Sequence, residues 1–210
     1  MKSRELLLSI AFAVSAVGYF PLSQWLTTTP VGTDFLLQSQ IFYLLLLSVS
    51  VLGFPVLMVC LFFQRTRRRA LILLGLTAVY IPCCFIGVIL GHKVRMNGMQ
   101  AFTVRSQLLI AAIKDYERDH SKVPVSLEEL VPKYLPRVPS TGMMAYPDYR
   151  YHIGAEAEQE YAGNPWALSV FTPSGGINFD MILYFPRQNY PERGYGGSLE
   201  RVSDWAYVHE

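Results

Sequence analysis

The stretch from Ala70 to Leu135 decides the fold. It opens with ALILLGLTAVYIPCCFIGVIL (residues 70–90), an apolar run that contains no charged residue. It continues through GHKVRMNGM (residues 91–99) into QAFTVRSQLLIAAIKDYERDH (residues 100–120). The first run has the length that a helix needs to cross a bilayer. This segment therefore leads from a membrane span into the long helix of a water-soluble domain.

The helix over residues 100–120 is predicted from one apolar face. The members of that face are Phe102, Leu109, Ile113 and Tyr116. Their separations fit a period of 3.6 residues, and most charged side chains of the segment lie off this stripe. The pattern predicts that the stripe packs against the rest of the domain.

The end of this helix carries several local signals. Pro124 favours a stop, because the residue before a proline avoids the helical region. Ser126 is placed as an N-cap, and Glu129, three residues on, completes a capping box. Val125 and Leu130 occupy the positions of a hydrophobic staple. The segment therefore predicts a short capped helix directly after the long one.

Three apolar runs predict a membrane region over residues 1–92. The expected spans are about 5–22, 41–63 and 70–91. The first run could instead be a signal peptide with Ala16 as the small residue at its cleavage site. Apolar residues continue beyond Ala16, which favours a retained helix.

Arginine placement predicts the orientation of these spans. The linker at residues 64–69 carries four arginines, whereas the loop at residues 23–40 carries no Lys or Arg. Short loops that are rich in Lys and Arg remain in the cytoplasm. The N-terminus and residues 64–69 are therefore expected inside, and the domain at residues 93–210 outside.

The charge of the two parts argues against nucleic-acid binding. Residues 1–92 carry six Lys/Arg and two Asp/Glu, and residues 93–210 carry twelve and fourteen. The net charge of +2 thus reflects topology rather than a basic binding face. All three cysteines lie in the apolar runs, so we expect no disulfide framework in the outside domain.

Chemistry-bearing patterns are missing from the sequence. The spans lack ionisable residues at mid-depth, which ion and proton pathways need. The four histidines are scattered, and the common hydrolase, phosphate-binding and metal motifs do not occur. We therefore expect no enzyme activity, no catalytic residues, no cofactor, no metal and no small-molecule substrate.

The rest of the outside domain alternates strand patterns with turn signals. Strands are expected over residues 149–153, 166–172, 177–185 and 204–208. The third has Phe179, Met181, Leu183 and Phe185 on one face. The segments between them, including residues 154–160 and 188–197, are interpreted as loops. The order predicts an α+β domain in which the apolar face of an antiparallel sheet packs on the stripe of the long helix.

Residues 99–210 resemble the globular part of type II secretion pseudopilins and type IV pilin-like proteins. The resemblance is carried by IKDYERDHSKVPVSLEEL (residues 113–130). This stretch is similar to the family's pattern of Tyr-x-x-Asp, then Pro, then Leu-x-x-Leu. The matching positions are Tyr116, Asp119, Pro124, Leu127 and Leu130. The resemblance implies a pilin-like fold and a bacterial inner-membrane protein with a periplasmic C-terminal domain.

Two functions fit this architecture. One is a non-enzymatic, membrane-anchored module that binds another envelope or secreted protein during envelope or secretion assembly. The alternative is an immunity-type protein that neutralises a toxin in the periplasm. Acidic and aromatic residues of two segments in the outside domain suit a protein contact. The candidates are Glu156, Glu158, Glu160, Tyr161, Tyr190 and Tyr195. The lipid bilayer is the other expected partner.

Overall fold

The computed structural model describes residues 3–33, 35–175 and 178–210. Internal contacts divide the chain into two compact units. The first comprises Met1–Trp25 and Asp34–Arg95, and the second comprises Leu26–Thr33 and Met96–Glu210. The division between Arg95 and Met96 lies three residues beyond the predicted domain boundary. The loop at residues 26–33 belongs to the second unit because its backbone is bonded there, with Met144 N–H donating to the Thr29 carbonyl at 3.2 Å.

Three helices among the described residues are long and apolar enough to cross a membrane. They are α1 (Ser3–Thr27), α2 (Phe35–Cys60) and α3 (Gln64–His120). The arginine linker is not a separate loop, because α3 already begins at Gln64. The turn between α2 and α3 is closed by the Thr66 hydroxyl, which donates to the Cys60 carbonyl at 2.8 Å. The predicted apolar span and the predicted amphipathic helix are parts of one continuous helix, α3.

Glycines allow α1 and α3 to approach closely within the first unit. A Cβ atom on Gly87 would lie 2.4 Å from the Ala16 carbonyl oxygen, and one on Gly91 would lie 3.3 Å from the Phe20 backbone. Small residues let helix backbones meet in this way in membrane bundles. Ala16 is fully buried at this contact.

Beside its part of α3, the described residues of the second unit form a six-stranded antiparallel sheet, one 3₁₀ turn and one short helix. The 3₁₀ turn is Leu127–Leu130, and the helix, α4, is Gly154–Glu160. The strands are β1 (Arg150–Ile153), β2 (Trp166–Phe171), β3 (Met181–Tyr184), β4 (Arg193–Gly194), β5 (Gly197–Val202) and β6 (Trp205–His209). Their spatial order is β1-β2-β3-β6-β5-β4, so two three-stranded meanders meet where β3 pairs with β6. The fold class is thus mixed α+β, as predicted.

The main core lies between α3 and one face of the sheet. The predicted stripe is buried there, with Phe102, Leu109 and Ile113 fully enclosed. The sheet contributes large rings, and the Phe102 and Trp205 ring centroids are 4.9 Å apart in an edge-on arrangement. Burying a large apolar side chain stabilises a fold by about 1.5–3 kcal/mol. This interface is therefore the main source of stability in the second unit.

The predicted apolar face of the third strand points away from α3. Leu183 and Phe185 lie in a second cluster on the sheet face opposite α3, whereas Ile182 and Tyr184 face the helix. Phe179 lies outside β3 and is 55% exposed, and Ile177 lies outside the described residues. Met181, Leu183 and Phe185 share one face, as predicted, but this face does not pack on α3. Both sheet faces are covered, so the strand is apolar on both sides and its alternation does not tell which face meets the helix.

Two segments that were interpreted as loops are ordered elements. Residues 154–160 form α4, and part of residues 188–197 forms β4 and the start of β5. The two-residue connection Tyr195–Gly196 has positive φ at both positions, 58° and 93°. This is the backbone of a tight hairpin turn that matches the twist of its strands.

The predicted cap is only partly present. Ser126 makes no side-chain capping bond, and the turn it precedes is a four-residue 3₁₀ helix. Glu129 reaches back as expected, but it accepts a hydrogen bond from Val125 N–H at 3.1 Å rather than from Ser126. The hydrophobic staple is absent, because Val125 is 68% exposed while Leu130 is buried.

Candidate functional site

α4 forms an acidic surface beside the edge of the sheet. Gly154 has φ +61°, which lets the chain leave β1 and enter the helix at once. Ala157 is the buried member of α4. Glu156, Glu158 and Glu160 are all exposed, so the helix presents three carboxylates to solvent.

His152 on β1 fastens α4 to the sheet. Its Nδ1 lies 2.7 Å from Glu156 Oε1, and its Nε2 lies 2.9 Å from Ser169 Oγ on β2. Because an ionised carboxylate can only accept, Nδ1 donates to Glu156. The His152 side chain is 13% exposed, whereas that of Glu156 is 55% exposed. One histidine thus connects a buried strand to the acidic helix.

Ser169, His152 and Glu156 stand in the hydrogen-bond order of an acyl-transfer triad. Ser169, however, lies inside β2, between Arg150 on β1 and Leu183 on β3, and is buried. The Tyr161 hydroxyl also lies 3.1 Å from Nε2, and the Tyr161 and His152 rings are 4.5 Å apart. A substrate carbonyl needs open access to the nucleophile and free donors for its oxyanion. The burial of Ser169 within β2 closes that access, so the group serves to hold α4 in place.

Of the three candidate tyrosines, Tyr161 is buried, and Tyr190 and Tyr195 are half-buried. Tyr161, Tyr190 and Tyr195 join Phe185 in the cluster on the outer face of the sheet. Tyr161 stacks on Tyr195 at 5.8 Å, and Tyr190 stacks on Phe185 at 4.6 Å. Their rings therefore cover the sheet, and the exposed contact area is left to the glutamates.

Hydrogen bonds fix the Tyr190 ring in this cluster. Its hydroxyl accepts from Phe185 N–H at 2.8 Å and donates to the Asp204 carbonyl, also at 2.8 Å. The Arg201 guanidinium lies 4.4 Å from the ring centroid, close enough for a cation–π contact. Burial raises the pKa of Tyr190 well above its ordinary value. The loop before β4 is thus anchored by its tyrosine.

The electrostatics of the Tyr161 hydroxyl reflect the acidic helix. Burial, followed by the charges of Glu160 and Glu156, raises the pKa of Tyr161 to about 12. A neighbouring negative charge disfavours ionisation of a phenol. The surface above Tyr161 therefore carries a negative potential that a cationic partner group would meet.

A buried carboxylate directly before β3 was missed by sequence reasoning. Asp180, at 4% exposure, accepts from the Tyr207 hydroxyl at 2.7 Å, from Asn178 Nδ2 at 3.1 Å and from Glu210 N–H at 3.1 Å. A buried carboxylate is tolerated when several donors satisfy its oxygens. Asp180 therefore ties the C-terminal strand to the loop before β3.

Among residues 3–33, 35–175 and 178–210, no group of three or more His, Cys, Asp or Glu side chains could hold a metal ion. The structure thus brings the predicted glutamates together on α4. The glutamate side chains are exposed, whereas the candidate tyrosines are buried or half-buried. His152 and Ser169 were missed because the sequence does not tell which side chains of adjacent strands meet. No protein-family model, curated protein or solved structure matches this chain.

Proposed function

We propose that this chain is a protein-binding module anchored in the bacterial inner membrane, with its second unit in the periplasm. Its role is a non-enzymatic one in envelope or secretion assembly, and its partner is another envelope or secreted protein. The observation that carries the proposal is the acidic helix α4, which His152 fixes to the sheet. Glu156, Glu158 and Glu160 are exposed on this helix. A surface that is fixed before binding loses less conformational entropy when the partner arrives.

The helices and the arginines support the proposed anchor and orientation. Three helices in the described part of the chain have the length and hydropathy of membrane spans. The arginines at residues 65–69 stand at the start of α3, which favours the cytoplasmic side for that end. The second unit then lies on the opposite side of the bilayer, where α4 meets extracytoplasmic proteins.

The resemblance to pilin-like proteins is supported by the arrangement of α3. One helix contains both an apolar run and a stripe that packs on an antiparallel sheet. The 3₁₀ turn at Leu127–Leu130 follows the long helix, and both leucines are buried. These features favour an assembly component over a channel, whose pathway would need ionisable groups within the spans.

Partner capture from membranes tests the proposal. The tagged full chain is compared with a variant that carries Glu156→Gln, Glu158→Gln and Glu160→Gln. A second variant changes only Glu158 and Glu160, which leaves the bond between Glu156 and His152 intact. We expect both variants to recover less partner after crosslinking, and the loss to be larger at low salt because exposed charges are screened by ions.

A charge-matched control separates the acidic helix from net charge. Asp148→Asn, Glu128→Gln and Glu192→Gln together remove the same number of exposed carboxylates elsewhere in the second unit. This control should recover the partner at the wild-type level. Undiminished recovery by the α4 variants would refute the proposal for this surface. The captured protein also distinguishes assembly from immunity, because a toxin as partner would favour the immunity-type function.

A further inference from the structure

α3 carries a second apolar stripe in the part that belongs to the second unit. Its members, named here the α3 stripe, are Ala101, Val104, Leu108 and Ala111. All four are exposed, and the two larger side chains, Val104 and Leu108, are 67% and 61% exposed. With about 3.6 residues per turn, the α3 stripe lies on a different side of the helix from the stripe that packs on the sheet. The sheet therefore leaves this side of the helix without a cover.

The spacing of the α3 stripe is that of a helix-pairing seam. Its members are separated by three, four and three residues, which corresponds to the a, d, a and d positions of heptads. Scattered exposed apolar residues are normal on a protein surface, but a continuous stripe marks an interaction site. The α3 stripe is thus shaped for another helix.

We infer that the α3 stripe is the contact between two copies of this chain, with their α3 helices side by side and parallel. Such a contact is isologous, since each copy offers the same residues to the other. It uses a different surface from the acidic helix, so it does not depend on the proposed partner.

The charges beside the α3 stripe suit a parallel pair of copies. In that register, Gln100 of one copy faces Arg105 of the other, and Lys114 faces Asp119. Neither pair opposes like charges. Hydrogen bonds from Tyr134 and Lys133, together with the neighbouring cations, hold the pKa of Asp119 below its usual range, so Asp119 stays ionised at neutral pH.

The α3 stripe ends where the helix becomes charged. The next seam positions are Asp115 and Arg118, whose side chains form an ion pair at 2.8 Å within one chain. Two copies would bring identical charges together at these positions, which disfavours a longer seam. The contact is therefore limited to the apolar positions before Asp115.

A groove beside Leu108 provides space for side chains of the second copy. It has a volume of about 460 Å³ and is lined by Leu108, Pro136, Arg137, Pro139 and Ser140. The loop that forms its wall is fixed to α3, since Arg105 Nε donates to the Thr141 carbonyl at 3.2 Å. An apolar side chain next to the seam can thus enter between α3 and this loop.

Insertion in one bilayer would favour this arrangement of copies. Chains inserted in one bilayer with the same orientation are confined to a thin layer. Confinement raises the effective concentration of each copy for the other, which lets a short seam pair.

Site-directed crosslinking in membranes tests the inference on the full chain. Val104→Cys is compared with Val125→Cys, because these exposed valines are matched at 67% and 68% exposure. A water-soluble bismaleimide is applied to membranes that contain two differently tagged copies. We expect a covalent dimer with both tags from Val104→Cys, but not from Val125→Cys. The wild-type chain reports any contribution of Cys60, Cys83 and Cys84.

A disruptive substitution makes the test specific. Leu108→Glu in the Val104→Cys chain should lower the dimer yield by about tenfold, because two carboxylates would then oppose each other in the seam. Val125→Glu in the same chain should leave the yield unchanged. The inference is overturned by equal dimer yields from both cysteine positions, by no dimer from Val104→Cys, or by crosslinking of Val104→Cys to a different protein.

Discussion

The Tyr116 hydroxyl on α3 donates a 2.8 Å hydrogen bond to Glu129 Oε2 on the 3₁₀ turn. The same oxygen accepts from Val125 N–H at 3.1 Å. One carboxylate therefore connects the last turns of α3 to the segment that follows it. These bonds, with the Tyr116 bond contributing most, hold the pKa of Glu129 below its usual range.

The bond between Tyr116 and Glu129 should make stability depend on acid pH. A carboxyl whose pKa is lower in the folded state stabilises the fold above its unfolded pKa, which is about 4.3 for Glu. This stabilisation is lost as the pH falls through the folded pKa. Glu129→Gln should therefore flatten the decline in unfolding free energy below this pH, measured by urea unfolding at several pH values. The matched control is Glu158→Gln, and an unchanged decline in Glu129→Gln would contradict the prediction.

Leu130 and Val125 should differ in their contribution to stability. Leu130 is fully buried, so Leu130→Ala should cost about 2–5 kcal/mol through lost burial and a residual cavity. Val125→Ala should change the unfolding free energy by less than about 0.5 kcal/mol, since its side chain is exposed. Chemical denaturation of both variants checks this. A large loss of unfolding free energy in Val125→Ala would contradict this prediction and would indicate that Val125 does pack as a hydrophobic staple.

His152 should control the local stability of α4. His152→Ala removes its bonds to Glu156 and Ser169, and losing hydrogen bonds of this kind costs about 1–3 kcal/mol. Hydrogen exchange of the backbone amides at residues 155–160 should become faster while exchange in β3 and β6 stays slow. The control is His209→Ala. The Nε2 atom of His209 lies 2.7 Å from Glu200 Oε2, and neither residue belongs to α4. Unchanged exchange in α4 would show that other contacts hold it.

The second unit should fold without the membrane spans. A chain that begins at Met96 keeps the buried stripe of α3 and all six strands, although it loses the bond from Met144 to Thr29. We expect a soluble protein with mixed α+β circular dichroism, cooperative unfolding and no sensitivity to chelators or reductants. A disordered spectrum would show that the core between α3 and the sheet is insufficient by itself.

The orientation of the spans can be measured with reporter fusions. Alkaline phosphatase is active only outside the cytoplasm, so a fusion after Glu210 should be active and one after Gln64 should be inactive. The expectation follows from the arginines at residues 65–69. Moving positive charge to the exposed positions of the opposite loop, by Val31→Arg and Thr33→Arg with Arg67→Gln and Arg68→Gln, should weaken the difference. The reverse pattern of activity in the unaltered chain would refute the proposed topology.

Helices with a strong local pattern were predictable from the sequence. The spans and the buried stripe of α3 follow from apolar runs and from a 3.6-residue period, which depend only on near neighbours. Strands β1, β2 and β6 were recognised from short apolar segments bounded by turn residues. The α+β class followed from the order of these elements.

Elements that depend on distant partners were missed. β5 gains its partner only when β6 folds back through the turn at Ser203, and β4 depends on the hairpin at Tyr195–Gly196. α4 is held mainly by Ala157 and by His152, which comes from a neighbouring strand. Isolated helices of this length are marginal in water, so sequence pattern alone gives little signal for one.

The sequence by itself determined the apolar helices, the stripe on α3 and the acidic residues at 156, 158 and 160, because composition and spacing are properties of the local chain. Tertiary structure decided which of these residues reach solvent. It buried Tyr161, left Val125 exposed and turned Leu183 away from α3, because the sheet is covered on both faces and burial depends on what packs above each strand. It also placed Ser169 beside His152, since adjacent strands bring together residues that lie far apart in the chain.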